Sequence, residues 1–439
     1  MTRPMGRGLV NPLRSYVVVV VSMLLCVPSP GRAQEEGTAT AAVEKLSPQE
    51  MRERLEELEL QVLMLQAGAA QGAPEADEVT LKSFQGGQRS LQALNPEISV
   101  VGDLFGRYVD SGDGRGVIGG ERSGAFLRVL GLHLQSNLDP FAFAKMAVEL
   151  HPDGAEVGEA YVTWTAVLPG LSLTFGKFRQ QLGVVNRWHT PGLDQFDFPL
   201  MLTVPFGPEG LNQSGLAAHL VLPPVWSHGL ELFVQVTNGS NGGVFAGEFF
   251  SVPSTLVRLT NYWDLTPNTY LELGLTGMFG FNNPRSALGD DGDLKSEPWR
   301  HTIIGGADLT LNWEPLNRSK YHYLTWRTEF LYIRKQLVEE DVLQWMGGYT
   351  SLEFKINRSW IIGVREDLVQ PFNVEHGERW IVQTVPYVSW WQSPWVRLRL
   401  EYDLTIPEMD VSAAKIADVE HRVFLQFTFA AGPHKHERY

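Results

Sequence analysis

Residues 394–405 read PWVRLRLEYDLT, and this stretch decides the fold class. Apolar and charged side chains alternate along it: Leu398 and Leu400 share one face of an extended chain, and Arg397 and Arg399 share the other. An alternation of period two is typical of a β-strand with one apolar and one polar face. The stretch therefore predicts a strand that separates two unlike surroundings.

The same alternation recurs along most of the chain. Each repeat has roughly the length of a tilted strand that crosses a membrane, about 9–11 residues. Sixteen segments fit: residues 98–110, 126–137, 141–151, 157–166, 171–179, 214–222, 230–238, 254–265, 269–281, 301–313, 321–334, 343–354, 360–369, 380–391, 394–405 and 422–429. Two segments fit less well. Residues 380–391 contain Pro386, which removes a ladder hydrogen bond, and residues 126–137 lack a clean polar face. An even number lets both ends of a closed barrel lie in the periplasm.

The connections between these segments alternate in length. One set is short and rich in Pro, Asn and Asp, as tight turns require. The other set is mostly longer and polar or glycine-rich: residues 110–121, 180–213, 239–253, 282–298 and 406–420. This alternation is typical of outer-membrane barrels, whose periplasmic turns are short and whose extracellular loops are long. Tryptophans near segment ends suit aromatic girdles: Trp164, Trp263, Trp313, Trp326, Trp345, Trp390 and Trp391. The sequence therefore predicts an all-β transmembrane barrel over residues 97–429, antiparallel and with about 16 strands.

The N-terminus has the order of a secretory signal peptide. Arg3, Arg7 and Arg14 precede an apolar run at residues 16–27, and small residues follow it up to Ala33. The run of twelve is shorter than the roughly 20 residues of a membrane-spanning helix. We predict a signal peptide over residues 1–33. It contains Cys26, the only cysteine, so the mature chain would form no disulfide.

A short helix is predicted between the signal peptide and the barrel. Residues 47–66 begin with a capping pattern, SPQE, and place apolar side chains at a heptad spacing from Met51 to Leu65. Two readings stay open: a small oligomerisation bundle in the periplasm, or an amphipathic helix docked on its own barrel. Residues 34–46 and 67–96 read as linkers, the second flexible and rich in Ala, Gly and Gln, and residues 430–439 as a C-terminal tail.

Composition and motifs exclude several classes of function. The chain has 36 basic and 50 acidic residues, and a net charge of -14 disfavours nucleic acid as a partner. No nucleophile elbow, phosphate loop or zinc helix is present, so no enzyme activity is predicted. His434 and His436 lack a third ligand, and the aspartates at 290, 291 and 293 lack a complete calcium loop. The sequence therefore predicts neither a metal nor a cofactor.

A family resemblance rests on these features together with one local motif. Phe175-Gly176-Lys177-Phe178-Arg179 leads directly into the very long third loop, residues 180–213. With the signal peptide, the short coiled coil and the sixteen-segment alternation, this resembles the Gram-negative porins of the phosphate-selective O and P type. The resemblance implies a homotrimer in outer-membrane lipid, a third loop folded into the lumen as a constriction, and passive diffusion of small hydrophilic solutes or ions, including anions such as phosphate. One departure is the stretch after Phe429, where such barrels usually end on an aromatic residue.

Charged side chains supply the candidate site residues. At the predicted constriction we expect solute contacts from Lys177, Arg179, Arg187, His189, Asp194 and Asp197. Along the predicted lumen wall lie Arg258, Glu272, Asp308, Arg327, Glu329, Arg365, Arg397, Arg399 and Glu401. Two alternatives to these solute contacts stay open. The third loop could cover the barrel mouth as a lid, and Lys177 and Arg179 could be charges at the rim without a role in solute binding. Because rows of mixed sign often pair across strands, the sequence leaves the permeating solute open.

Two other functions stay possible for such a barrel. An export conduit would use the helix at residues 47–66 to gate or recruit a secreted polypeptide, so deleting that helix would change secretion and hardly alter small-ion conductance. A structural tether that links the outer membrane to a periplasmic partner would show no conductance at all. Single-channel recording separates these functions from a diffusion pore.

Overall fold

The computed structural model describes residues 96–110, 122–247, 252–283, 286–288, 294–296, 298–319, 321–338, 341–373, 379–410, 415–416 and 419–432. The predictions for the signal peptide, the helix at residues 47–66, the linkers up to residue 95 and the tail beyond residue 432 lie outside these ranges. Among the described residues, no helix has the length and apolar character needed to cross a membrane.

Sixteen antiparallel strands form the barrel. They are β1 (Glu97–Asp110), β2 (Gly124–Asp139), β3 (Ala142–His151), β4 (Gly154–Leu168), β5 (Leu171–Arg179), β6 (Asn212–Leu222), β7 (Gly229–Thr237), β8 (Ser254–Thr266), β9 (Thr269–Phe281), β10 (His301–Trp313), β11 (Tyr323–Gln336), β12 (Val342–Lys355), β13 (Trp360–Val369), β14 (Arg379–Ser393), β15 (Val396–Asp410) and β16 (Glu420–Ala431). Two short additions lie in long loops: Ser286–Leu288 pairs with Leu294–Ser296, and Lys415–Ile416 extends β15.

The sheet closes on itself through β1. This strand pairs with β2 on one side and, from Val100 opposite Ala431 to Asp110 opposite His421, with β16 on the other. The predicted fold class is confirmed, and each of the sixteen predicted segments coincides with one strand. Pro386 belongs to β14, whose ladder to β15 passes from Thr384 to Tyr387 without a change of register. The missing N–H of Pro386 therefore interrupts the ladder locally and does not end the strand.

The two faces of the sheet have opposite character. On β15, Leu400 is 50% exposed on the outer face, whereas its neighbour Arg399 is 1% exposed on the inner face. Burying charges while exposing leucines reverses the arrangement of a soluble protein and suits a barrel with lipid outside. Trp164 and Trp313 are exposed on the outer face near the short-turn end, as girdle residues are. Trp345 is a correction, because it is fully buried inside the barrel.

The apolar core of the molecule lies inside the barrel. It is built by the loop between β5 and β6, here called L3 (residues 180–211), which contains 3-10 turns at Val185–Arg187 and Thr190–Gly192 and one helix, α1 (Leu200–Phe206). Leu182, Met201 and Leu202 of L3 are fully buried in one cluster with inward side chains of the strands and with two residues of the next long loop. The cluster also includes Trp188, Phe198, Val244, Phe245, Ile333, Trp345 and Val369.

Candidate functional site: the barrel interior

L3 makes hydrogen bonds to strands on different sides of the barrel. The N–H groups of Val184 and Val185 donate to Glu329 of β11 at 3.0 and 3.1 Å. The N–H of Leu200 donates to Asp367 of β13 at 3.0 Å. Glu159 of β4 lies 2.8 Å from a ring nitrogen of His189. Glu401 of β15 accepts a hydrogen bond from the N–H of Phe196, also at 2.8 Å. These strands lie on different sides of the closed barrel wall. Because L3 bonds to all of them, it crosses the interior of the barrel and does not lie over its mouth.

The buried carboxylates hold the backbone of L3. Glu329 also accepts a hydrogen bond from the Tyr349 hydroxyl at 2.6 Å, and both of its oxygens are therefore occupied. A buried carboxylate is tolerated only where hydrogen bonds or cations replace its water, and bonds from N–H groups to an ionised acceptor are among the stronger kinds. The sequence predicts Glu329 and Glu401 as lumen-lining residues. They do face inward, but L3 covers them.

The predicted inner arginines also have partners, either acidic side chains or carbonyl groups of L3. Arg258 makes a bidentate ion pair with Asp308, one arm measuring 2.8 Å. Arg365 pairs with Asp367 at 2.6 Å. Arg397 and Arg399 donate to L3 carbonyls, those of Pro191 and Leu193. Mixed charges thus neutralise one another across strands and against the loop, and these arginines do not form an open basic ladder.

Four of the six predicted constriction residues fall into three groups. Arg179 and Asp194 form ion pairs with Glu209 and Arg327, at 3.2 and 3.3 Å. Asp197 pairs with Arg128 at 3.2 Å and keeps a partly exposed side chain. Lys177 is separate from the rest of the group: it pairs in register with Ala160 and Ser214 on the outer face and donates to Glu156 at 3.3 Å. Its position corresponds to the rim-charge alternative.

His189 belongs to a charged cluster that the sequence pattern did not reveal completely. Its two ring nitrogens lie 3.4 Å from Glu149 and 2.8 Å from Glu159, and Lys145 lies 3.0 Å from Glu159. Glu159 was not among the predicted site residues. A bulge at Gly158 adds one residue to β4, so that Glu159 faces inward out of step with the alternation at the start of the strand. A glycine within a strand pattern is the available signal for such a bulge.

A cavity of about 1260 Å³ separates L3 from the short-turn end of the barrel. L3 contributes Arg187 and Trp188 to its lining, and the wall contributes Tyr262, Glu272 and Arg327. The short turns supply further polar and basic lining at Glu314, Ser319, Arg358, Ser359 and Gln392. The cavity therefore reaches from the underside of L3 to one end of the barrel.

Arg187 is the predicted contact residue that faces this cavity. Its Nε donates to the carbonyl of Val184 within its own 3-10 turn at 3.3 Å. Its guanidinium makes no other hydrogen bond to the residues that the structure describes. Glu272 lies on the opposing wall, 3.6 Å from Arg258. Arg187 is consequently the L3 cation best placed to meet a solute.

The comparisons with known proteins support the fold and leave the family open. No family model matches the chain. A protein of Aquifex aeolicus (strain VF5), named only "Uncharacterized protein", is 27% identical over 271 residues, which cover 57% of this chain and 55% of that protein. The chain therefore spans about half the length of this relative.

Among solved structures, the anion-selective porin from Comamonas acidovorans matches with a TM-score of 0.51 and 10% identity, over 76% of this chain and 99% of that one. The outer membrane channel DcaP of Acinetobacter baumannii matches with a TM-score of 0.49 and 12% identity, over 77% and 96%. At such low identity, the first likeness shows a shared barrel fold and nothing finer.

Proposed function

We propose that this chain is an outer-membrane porin that lets small hydrophilic solutes or ions diffuse passively, and that it works as a homotrimer in outer-membrane lipid. One observation carries the proposal: L3 crosses the interior of a sixteen-strand barrel and has a large, polar and aromatic cavity beneath it. The selectivity of a pore for its solutes is commonly set by charged and polar side chains at such a narrowing. The narrowing here is L3.

The contacts of L3 favour small solutes over a polypeptide. A polypeptide needs a wide lumen, and L3 would have to leave the interior to provide one. That movement would break the buried hydrogen bonds from Val184, Leu200 and Phe196 to wall carboxylates. Each buried group left without a partner costs about 1–3 kcal/mol. The export conduit also depends on the helix at residues 47–66, which is outside the described ranges.

Arg187 gives the pore its proposed preference for anions, phosphate included. Permeant anions are drawn to positive side chains that line a pore, and most other inner arginines are already paired with acids or carbonyls. Glu272 on the opposing wall limits this preference, so a modest selectivity is expected.

Recording purified protein in a planar bilayer tests both parts of the proposal. We expect discrete conductance steps. In a salt gradient, we expect a reversal potential with the sign that indicates a higher permeability for anions than for cations. Arg187→Gln is expected to lower the anion-to-cation permeability ratio about twofold to tenfold, which corresponds to about 0.4–1.4 kcal/mol. Lys177→Gln, a basic residue on the outer face, is the matched control and should leave the ratio unchanged. Absence of steps would contradict the pore, and an unchanged ratio in Arg187→Gln would contradict the selectivity.

A further inference from the structure

Three neighbouring strands place a row of polar side chains on the wall of the cavity beneath L3. Tyr262 of β8 pairs in register with Glu272 of β9, and Glu272 pairs with Thr310 of β10. All three side chains line the cavity. Side chains that lie opposite each other on neighbouring strands have Cβ atoms about 4.5–5.5 Å apart. We call these three residues the cavity row.

The polar ends of the cavity row are open. Thr310 is 4% exposed, and its hydroxyl has no hydrogen bond to a described residue. The hydroxyl of Tyr262 and the carboxylate of Glu272 also have no hydrogen bond to the part of the chain that the structure describes. Polar groups inside a protein are normally hydrogen-bonded, because water or a partner must replace the lost solvent. Three adjacent open groups in a cavity wall therefore indicate a site that a bound molecule completes.

Arg258 balances the charge of Glu272 without satisfying its hydrogen bonds. The Nη2 atom of Arg258 lies 3.6 Å from Glu272, which is too far for a hydrogen bond, and donates to Asp308 at 2.8 Å. An ionised carboxylate accepts hydrogen bonds and donates none. Glu272 therefore lacks donors rather than a second cation, and the O–H groups of a ligand would supply them.

Arg187 faces the cavity row from L3. Its Nε donates to the carbonyl of Val184, and the rest of its guanidinium makes no hydrogen bond to a described residue. A guanidinium binds a carboxylate or a phosphate group with two parallel hydrogen bonds, and it repels a cation that would otherwise donate to Glu272. A fitting ligand therefore presents an anionic group to L3 and hydroxyl donors to the wall.

An exposed aromatic ring lies next to the cavity row. Tyr270 precedes Glu272 by two residues, so both side chains are on the same face of β9. Its register partner is Asn312, a buried inner residue, yet Tyr270 itself is 39% exposed and lines the cavity. Ligand sites commonly combine aromatic surface with a few polar groups that fix orientation. The ring of Tyr270 suits the C–H side of a hydroxylated carbon chain.

We infer that the cavity row and Arg187 form a binding subsite for a small hydroxylated organic anion, such as a sugar acid or a sugar phosphate. The inference rests on the proposed pore and names the class of solute that it favours. Arg187 binds the carboxylate or phosphate group. The row binds the hydroxyls, with Glu272 as an acceptor and the two hydroxyl side chains as donors or acceptors. A site built to hydrogen-bond a hydroxyl rejects an analogue without one, because its own groups are then left unpaired.

Block of the single-channel current tests the subsite with matched solutes. Gluconate, hexanoate and sorbitol have carbon chains of equal length: the first carries an anionic group and hydroxyls, the second only the anionic group, and the third only hydroxyls. We expect gluconate to reach half-block at a concentration about tenfold lower than either of the others, the effect of hydrogen bonds to a charged group. The zwitterion ε-aminocaproate, which has an ammonium group and no hydroxyl, should block no better than hexanoate.

Two variants assign the effect to the cavity row. Thr310→Val removes a hydroxyl and keeps the shape of the side chain, so it should raise the half-block concentration of gluconate about threefold and leave that of hexanoate unchanged. Glu272→Gln removes a negative charge, so hexanoate should block better and the advantage of gluconate should fall to about threefold or less. The matched control is Thr163→Val, a buried threonine of β4 that bonds to Thr174 and does not line the cavity. It should leave both concentrations unchanged.

Three results would overturn the inference. They are equal block by gluconate and hexanoate in the unaltered protein, block by ε-aminocaproate as tight as that by gluconate, and an unchanged ratio of the two half-block concentrations in both variants. Each of them leaves the conductance steps in place. A failure of the proposed pore would instead remove the steps themselves, so the two failures are distinguishable.

Discussion

Three consecutive charged residues of β13 differ in the hydrogen-bond partners that the two faces of the strand offer them. Arg365 and Asp367 point inward, where they pair with each other at 2.6 Å and hold L3. Glu366 points outward, and its one hydrogen-bond partner among the described residues is the hydroxyl of Thr384. The inner charges bond to a loop of the same chain, whereas one oxygen of the outer carboxyl group has no hydrogen bond to a described residue. The difference shows that L3 supplies hydrogen bonds to the inner face of β13 that the outer face of this strand lacks.

The largest expected effect is on the inner side of this comparison. Asp367→Ala leaves Arg365 buried beside no carboxylate of its own strand and removes the acceptor of the Leu200 N–H. Breaking a buried pair costs about 3–5 kcal/mol. We expect a loss of that size in the free energy of unfolding, measured by urea titration in lipid vesicles. Glu366→Ala, its outward neighbour, should cost less than about 1 kcal/mol in vesicles dilute enough to hold monomers. Equal losses would break the comparison.

A smaller effect is expected where the loop is held by a single carboxylate. Glu329→Gln keeps the side-chain shape but weakens bonds to the N–H groups of Val184 and Val185. We expect these two amides to exchange with deuterium about tenfold faster, since losing about 1.4 kcal/mol of local stability changes the open population by that factor. Glu353→Gln is the control, because Glu353 binds Tyr323 and Tyr387. Faster exchange throughout the barrel would instead indicate global destabilisation.

The smallest effect is expected on the outer face. Thr384→Val removes the hydroxyl that donates to Glu366 and keeps the shape of the side chain. A partly buried hydrogen bond contributes about 0.5–1.5 kcal/mol, so unfolding of the monomer should change by no more than that. The same urea titration measures it. A loss near that of Asp367→Ala would contradict the difference between the two faces of β13.

The strands were predictable from sequence because the signal is local. Side chains of a strand alternate between faces, so the pattern in residues 394–405 is sufficient to assign inside and outside. The position of L3 was not, because its contacts join residues far apart: Val184 to Glu329 spans 145 residues and Phe196 to Glu401 spans 205. No local period encodes such pairings. The resemblance to porins, together with the place of this loop in the topology, suggested that it enters the lumen.

Three residues show the limits of reading alternation alone. Glu159 escaped notice because a bulge shifts the register of β4. Lys177 was expected at the constriction, yet its place in the ladder puts it on the outer face beside Glu156. Glu366 was overlooked, although three charges in a row within a strand must place one of them on the apolar face. That signal is readable from sequence and needs only the fold to interpret it.

The central claim is that L3 narrows the path through the barrel. Single-channel conductance tests it in a variant whose residues 186–206 are replaced by a short Gly-Ser linker. A control variant lacks residues 286–296, the hairpin of another long loop. We expect discrete steps in the unaltered chain, steps several-fold larger without the L3 segment, and unchanged steps in the control. Equal conductance in all three proteins would contradict the account.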